Sequence, residues 1–136
     1  MVRAPLVRLL LDTHVWLWRL LAPERISDAA ERALSDGDAE LCLSPISVWE
    51  ALVLARKGRV RLDPTPAEWV LEALRRSAPA AVPLTHAIAM RSEAMTDFEA
   101  ADPADRFLAA TALEHDLTLV TADRALRDYQ ALATVW

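Results

Sequence analysis

Three times in this chain a capping side chain is followed directly by proline and then by helix-forming sequence: Ser44-Pro45, Thr65-Pro66 and Asp102-Pro103. Proline at the first helical position gives up no hydrogen bond and has its φ already set for a helix, while the Ser, Thr or Asp before it can accept from an orphan N–H. These pairs fix three helix starts, and Thr65-Pro66-Ala67-Glu68 adds the glutamate of a capping box, opening a helix through Trp69, Leu71 and Leu74. The helix from Ser44 is expected to run to about Lys57, where Gly58 stops it, and the helix from Asp102 to run through Phe107, Leu108, Ala112 and Leu113 to His115-Asp116. Weaker signals place a helix after Ser27 through Ala29, Ala30, Ala33 and Leu34 with Gly37 just past its end. They also place one after Thr85 containing Ile88, Ala89 and Met95, and a short one over Asp123–Tyr129.

Between these helices lie apolar runs of strand length: Val7–Leu11, Leu41–Leu43, Ala81–Leu84, Leu117–Thr121 and a terminal Thr134–Trp136. Pro83 confines the third to a sheet edge or shortens it. Strands and helices alternate along the chain, which predicts an α/β domain with a short, mostly parallel central sheet and functional groups at the carboxyl ends of its strands. With 136 residues, 54% hydrophobic, and only 2 glycines, the chain is read as a single domain over 1–136 rather than a disordered or low-complexity one. The 20 acidic residues against 15 basic ones give a net charge of −5, which argues against a passive nucleic-acid binder needing a basic face. It leaves open an enzyme that holds metal ions between its carboxylates and a phosphate.

The one cysteine, Cys42, forms no internal disulfide, and its flanks Leu41 and Leu43 predict a buried thiol, in keeping with a reducing cytoplasm. Arg3 followed by Leu6–Leu11 imitates the start of a signal peptide, but Asp12, His14 and Arg19 interrupt it. No stretch approaches the roughly 18 apolar residues of a membrane span, so neither export nor membrane insertion is expected.

Asp12 follows three leucines, and a carboxylate at the mouth of a buried strand is costly unless paired, hydrogen-bonded or holding a cation. Glu50 poses the same problem within Ile46-Ser47-Val48-Trp49-Glu50-Ala51-Leu52-Val53, where nearly all neighbours are apolar. Asp105 occupies the first turn of an Ala/Leu/Phe-rich helix, and Asp123 follows the strand Leu117–Thr121 by two residues. Singly, each has an ordinary explanation: Asp12 as a helix cap, Glu50 as a solvated helix-face residue, Asp105 as complement to a helix dipole, Asp123 as a turn residue. Together they fall near one end of the sheet with no Lys or Arg adjoining Asp12 or Glu50, and an all-carboxylate set suits Mg²⁺ or Mn²⁺ rather than zinc. His14, His86 and His115 show no ligand spacing.

The motifs Leu9-Leu10-Leu11-Asp12-Thr13-His14, Leu43-Ser44-Pro45-Ile46-Ser47-Val48-Trp49-Glu50, Ala104-Asp105-Arg106-Phe107-Leu108-Ala109-Ala110-Thr111-Ala112 and Leu119-Val120-Thr121-Ala122-Asp123 resemble, in order and spacing, the PIN-domain family of VapC-type toxins. The resemblance covers nearly the whole chain. It implies a PIN-like three-layer α/β/α fold and a Mg²⁺-dependent endoribonuclease (Mn²⁺ substituting) that acts on RNA as the toxin of a toxin–antitoxin pair and is silenced by a small antitoxin protein. Asp12, Glu50, Asp105 and Asp123 would be the catalytic and metal-holding acids, with Glu50 either a ligand or orienting the attacking water. Asp102 is an extra carboxylate that equally reads as an N-cap. Thr13, Ser44 and Thr121 would position acids or their waters through hydroxyl groups, and Arg106 and Arg124 are candidates for holding the RNA backbone. Relatives with the Asp-Pro-x-Asp-Arg pattern often carry a histidine two residues before its first Asp, where this chain has Ala100.

Two other readings compete. A haloacid-dehalogenase-type phosphatase also begins with an aspartate after an apolar strand but wants a second acid where His14 stands. A PIN-like scaffold that binds RNA or protein without cutting would have no need of the intact acids. Finally, Trp16, Leu17, Trp18, Leu20 and Leu21 make an unusually apolar segment, which predicts a surface covered by partners, namely a second copy in a homodimer and the antitoxin.

Overall fold

Strand β1 (Val7–Leu11) carries Leu9 and Leu11 on one face and Leu10 on the other, each almost wholly removed from solvent. A strand buried on both faces needs a layer of helices on each side, and burial of each such leucine contributes about 1.5–3 kcal/mol. The structure, a computed structural model, describes residues 7–98 and 102–136. Its remaining elements are α1 (Thr13–Leu21), α2 (Asp28–Leu34), β2 (Ala39–Leu43), α3 (Pro45–Arg56), α4 (Pro66–Ser77), β3 (Ala80–Ala81), α5 (His86–Ala94), α6 (Pro103–His115), β4 (Thr118–Val120), α7 (Arg124–Asp128) and β5 (Thr134–Val135).

All four strand pairings are parallel, and the sheet order is β3-β2-β1-β4-β5. The period of two along the strands sorts the core into two halves. Leu9, Leu11, Leu43 and Val120 pack with Val15 and Trp16 of α1, Ala30 of α2, Ala51 of α3 and Val70 of α4. Leu10, Cys42 and Leu119 pack on the opposite face with Ile88 of α5, Leu108 and Ala112 of α6 and Leu126 of α7. This is the three-layer α/β/α arrangement, and the Cys42 thiol is buried in it. Because β1 lies between β2 and β4, the chain leaves β1 toward one edge and later returns to its other side. The carboxyl ends of β1 and β4 therefore flank a switch point, where a parallel sheet opens a crevice for ligands.

The cap-proline signals translate directly into structure: Ser44, Thr65 and Asp102 are N-caps accepting from Ile46, Glu68 and Ala104 N–H groups at 3.1, 3.2 and 2.9 Å. Ser27 and Thr85 cap α2 and α5 in the same way. Gly58, with φ of 73°, ends α3 as expected, whereas Gly37 has no left-handed backbone; the left-handed helix ends fall on Ala78 and Asp116 instead. The order is βααβααβααβαβ, with two helices rather than one in the first crossover. The extra helix, α1, has Val15, Trp16 and Leu17 buried, and apolar residues on most of its sides blur the amphipathic period that marks a surface helix. Trp16 and Leu17 are consequently core residues, with the Trp16 ring edge-on to Trp69 at 5.8 Å. That narrows the part of the Trp16–Leu21 segment that a partner could cover: Leu20 and Leu21 are exposed, at 40% and 44%, beside a half-buried Trp18. Pro83 limits β3 to two residues at the sheet edge.

Candidate active site

Asp12 is the residue directly after β1, and its N–H continues the sheet ladder by donating to the Val120 carbonyl at 3.0 Å. That register sets Asp12 against the end of β4, where the Thr121 hydroxyl donates to Asp12 Oδ2 at 2.7 Å. The same Thr121 oxygen accepts from the Asp123 N–H at 3.0 Å, so one buried hydroxyl ties two acids together. Asp12 occupies the N-cap position of α1 without making a side-chain cap bond, which excludes the simple capping explanation for a carboxylate only 4% exposed.

The other acids arrive from three helices. Asp123 caps α7 through Oδ1, which accepts from the Leu126 N–H at 3.1 Å. Asp102 caps α6, and Asp105 lies in the first turn of that helix. Glu50 projects from the middle of α3, half-buried. Asp12, Glu50, Asp102, Asp105 and Asp123 line one cavity of about 340 Å³ together with His14, Trp18 and Ala122, and no Lys or Arg is among its walls. Because α1, α6 and α7 all begin at this cavity, their positive dipole ends temper the assembled negative charge.

The electrostatics show the strain of the arrangement. Burial pushes the Asp12 carboxyl upward, opposed first by the Thr121 hydrogen bond and then by the nearby His14. Burial also raises Glu50, opposed by a hydrogen bond from Thr13. Asp105 is pushed up to about 7 by burial and by its neighbours Asp12, Asp102, Asp123 and Glu50. A set of carboxylates that raise one another's pKa with no Lys or Arg among them is matched to a divalent cation with oxygen preference. As the side chains stand, no three His, Cys, Asp or Glu groups among the described residues converge on one ligand point. The donor chemistry nonetheless fits Mg²⁺ or Mn²⁺, which keep several waters and take only one or two carboxylates directly.

A family model described as PIN domain matches residues 9–132. The chain belongs to the PIN-domain family. Among curated proteins this PIN-domain chain is 36% identical over 129 residues to "Ribonuclease VapC22" of Mycobacterium tuberculosis (strain ATCC 25618 / H37Rv), a match covering 93% of this chain and 97% of that relative. Among solved structures it resembles VapBC2 from Rickettsia felis bound to a DNA fragment from their promoter, with a TM-score of 0.71 at 15% identity over 94% of this chain and 97% of that one. DNA-bound VapBC from Salmonella typhimurium superposes with a TM-score of 0.68 at 17% identity over 95% and 97% of the two chains. At such identities these structures establish the shared fold.

Of the supporting residues suggested by sequence, Thr121 and Thr13 lie among the acids, whereas the Ser44 hydroxyl is occupied in capping α3 and is absent from the cavity walls. Arg106 is corrected as an RNA-backbone candidate. Its guanidinium donates to the carbonyls of Phe98, Ser92 and Met95 at 2.8, 2.7 and 2.9 Å and lies over the Phe98 ring. It closes the carboxyl end of α5 against the first turn of α6. Arg124 is exposed at the start of α7, next to Asp123. Ala100, which stands where relatives often have histidine, lies outside the described residues. One cavity residue carried too little sequence signal to be assigned there: Trp18, which looks like any core tryptophan. Ser47, buried and bonded to Thr13, is absent from the cavity walls.

Proposed function

We propose that this PIN-domain protein is a divalent-metal-dependent endoribonuclease that serves as the toxin of a toxin–antitoxin pair. The observation that carries the reading is the cavity walled by five carboxylates with no Lys or Arg at the switch point of a parallel sheet. The 36% identity to a protein named ribonuclease, and the fold shared with VapBC assemblies, support it. Asp12, Asp105 and Asp123 would hold Mg²⁺ or Mn²⁺, with Glu50 as a further ligand or as the group orienting water. When bound, such an ion lowers the pKa of a water and screens a phosphate from the surrounding acids. The chain's own contribution is placement: Thr121 fixes Asp12 relative to Asp123, the three helix starts stabilise the ionised acids, and Arg124 stands at the edge to meet an RNA phosphate.

The antitoxin would lie in the groove of about 640 Å³ between α1 and α3, which opens onto the acids at Glu50 and Asp102. Its walls include Leu17, Leu21, Val53 and Val60, with the exposed Trp49 alongside and Arg25, Lys57 and Arg59 adding positive charge. An apolar segment bearing a basic residue toward the acids fits that surface by charge and hydropathy. The protein itself is proposed to form a homodimer.

The deciding experiment incubates a structured RNA with purified protein and Mg²⁺ or Mn²⁺, with and without chelator. Cleavage that vanishes on chelation and in Asp12→Asn is expected, and cleavage indifferent to both defeats the metal reading. Light scattering of the isolated chain checks the dimer, and co-purification from its native operon checks the antitoxin.

A further inference from the structure

Trp18, on α1, belongs to the walls of two cavities at once: the one lined by the five carboxylates, and the groove between α1 and α3 that opens onto it. His14, Glu50 and Asp102 are the other residues common to both. The indole is held on several sides. Its ring lies 5.8 Å from that of His14, one turn earlier on α1, and 5.9 Å from that of Trp136 after β5. Arg25, at the end of the single turn Pro23–Arg25 that follows α1, sets its guanidinium over the Trp18 ring, 4.5 Å from the centroid. Arg25 is exposed and lines the groove, so a flat cation lies on a fixed aromatic ring at the groove wall.

Charge narrows what such a wall can hold. Lys57 and Arg59 line the same groove and are also exposed. The chain has 20 acidic residues to 15 basic ones, yet among the described residues no carboxylate comes within ion-pairing distance of Arg25, Lys57 or Arg59. Three unpaired cations beside a stacked aromatic suit a ligand that has both negative charge and flat apolar faces. A nucleic-acid strand has both, and it offers its faces where its bases are unpaired. We propose that Trp18 and Arg25 form a stacking shelf for one unpaired nucleobase of the RNA, close to the phosphate that meets the acids, with Lys57 and Arg59 on neighbouring phosphates. Trp18 supplies the stacking plane, and Arg25 supplies a second plane and a charge. Base-paired RNA cannot use the shelf, because its bases are already stacked on one another. An antitoxin segment in the groove would cover the same wall, so strand and antitoxin exclude each other. The identity of the ligand rests on the ribonuclease reading above; the shelf rests on the groove itself.

The test is binding of a fluorescein-labelled, single-stranded RNA of about seven nucleotides, read by anisotropy in the presence of chelator. With the parent chain, replacing each nucleotide in turn by an abasic one should reveal one position whose loss weakens binding about tenfold, the scale of one stacked base. Trp18→Ala and Arg25→Ala should each weaken binding of the intact strand about tenfold and erase that abasic penalty. Trp18→Phe still presents a ring and should bind within about threefold of the parent. Arg25→Lys keeps the charge without the plane and should lose the penalty. Lys57→Ala and Arg59→Ala should keep the penalty, and each should lower the slope of log affinity against log salt by about 0.7. A folded Trp18→Ala protein with parental affinity and an unchanged penalty overturns the shelf. Should Trp18→Ala fail to fold, Arg25→Ala, a change at an exposed side chain, decides by the same criterion. A parent chain that binds no strand, or shows no abasic-sensitive position, overturns it as well. So do variants that bind the strand as the parent does but no longer co-purify with the antitoxin, because the wall then serves the protein partner alone. A parent that shows the penalty but cuts no RNA with Mg²⁺ upholds the shelf and defeats the ribonuclease reading, and one that cuts RNA without any penalty does the reverse.

Discussion

Asp105 shows what the site demands of a single residue. Its carboxyl titrates at about 7 rather than 3.8, chiefly because it is partly buried and then because Asp12, Asp102, Asp123 and Glu50 surround it. A raised carboxyl pKa is a stability cost above the unfolded value. Between about pH 4 and pH 7 the folded chain retains a proton that the unfolded chain has released, so stability falls as pH rises through that window and stays lower above it. Asp105→Asn removes the ionisable group, and we expect it to gain on the order of 1–2 kcal/mol over the parent at pH 8, after discounting for its partial exposure, and nothing at pH 4. Urea unfolding of both proteins at the two pH values measures this, and an equal difference at both would show that charge is not the cause. RNA cleavage should be lost in Asp105→Asn, Asp12→Asn and Glu50→Gln while these proteins remain folded. Asp102→Asn should be milder, since asparagine still accepts from the Ala104 N–H.

At the level of elements, sequence and structure agree where one residue's chemistry decides the local conformation. The caps at Ser27, Ser44, Thr65, Thr85 and Asp102, and the glycine stop at Gly58, are such cases. They part where tertiary context decides. α1 is apolar on most of its sides and was not distinguishable as a helix separate from α2. The acids were legible because carboxylates in apolar runs are conspicuous, whereas the Ser47–Thr13 pair was not, since two hydroxyls in helices carry no signal until folding brings them to 3.0 Å. Arg106 next to Asp105 looked like a phosphate-binding group, and only the fold reveals three carbonyls around it. Two predictions belong at this scale. Arg106→Ala leaves those carbonyls without their donor at the end of α5 and should cost about 2–3 kcal/mol in chemical denaturation. Ala78, at φ 40° beyond α4, holds a left-handed conformation that glycine takes without steric cost, so Ala78→Gly should raise stability by about 0.5–1 kcal/mol in the same assay.

Across the whole molecule, the fold gathers acids from the end of β1 and from α3, α6 and α7 around one end of the sheet and provides no Lys or Arg within the cavity. Folding thereby concentrates charge that the unfolded chain keeps apart, and a divalent ion binding only the folded state would return stability in proportion to the logarithm of its concentration over its dissociation constant. At a hundredfold excess over that constant the gain is about 2.7 kcal/mol, or on the order of 5–10 °C in melting temperature for a chain of this size. The gain must depend on pH with a definite sign. At pH 5.5 Asp105, titrating at about 7, is mostly protonated, so an ion has to displace that proton, whereas at pH 8 the carboxylate is already available. Thermal melts with and without Mn²⁺ should therefore show a larger upward shift at pH 8 than at pH 5.5. In Asp105→Asn the dependence should flatten, and in Asp12→Asn the shift itself should shrink at both pH values because the most buried of the five carboxylates is gone. A Mn²⁺ shift of equal size at both pH values, or one that survives intact in both asparagine variants, would place the ion elsewhere on the protein and leave the five carboxylates without the cation that their arrangement calls for.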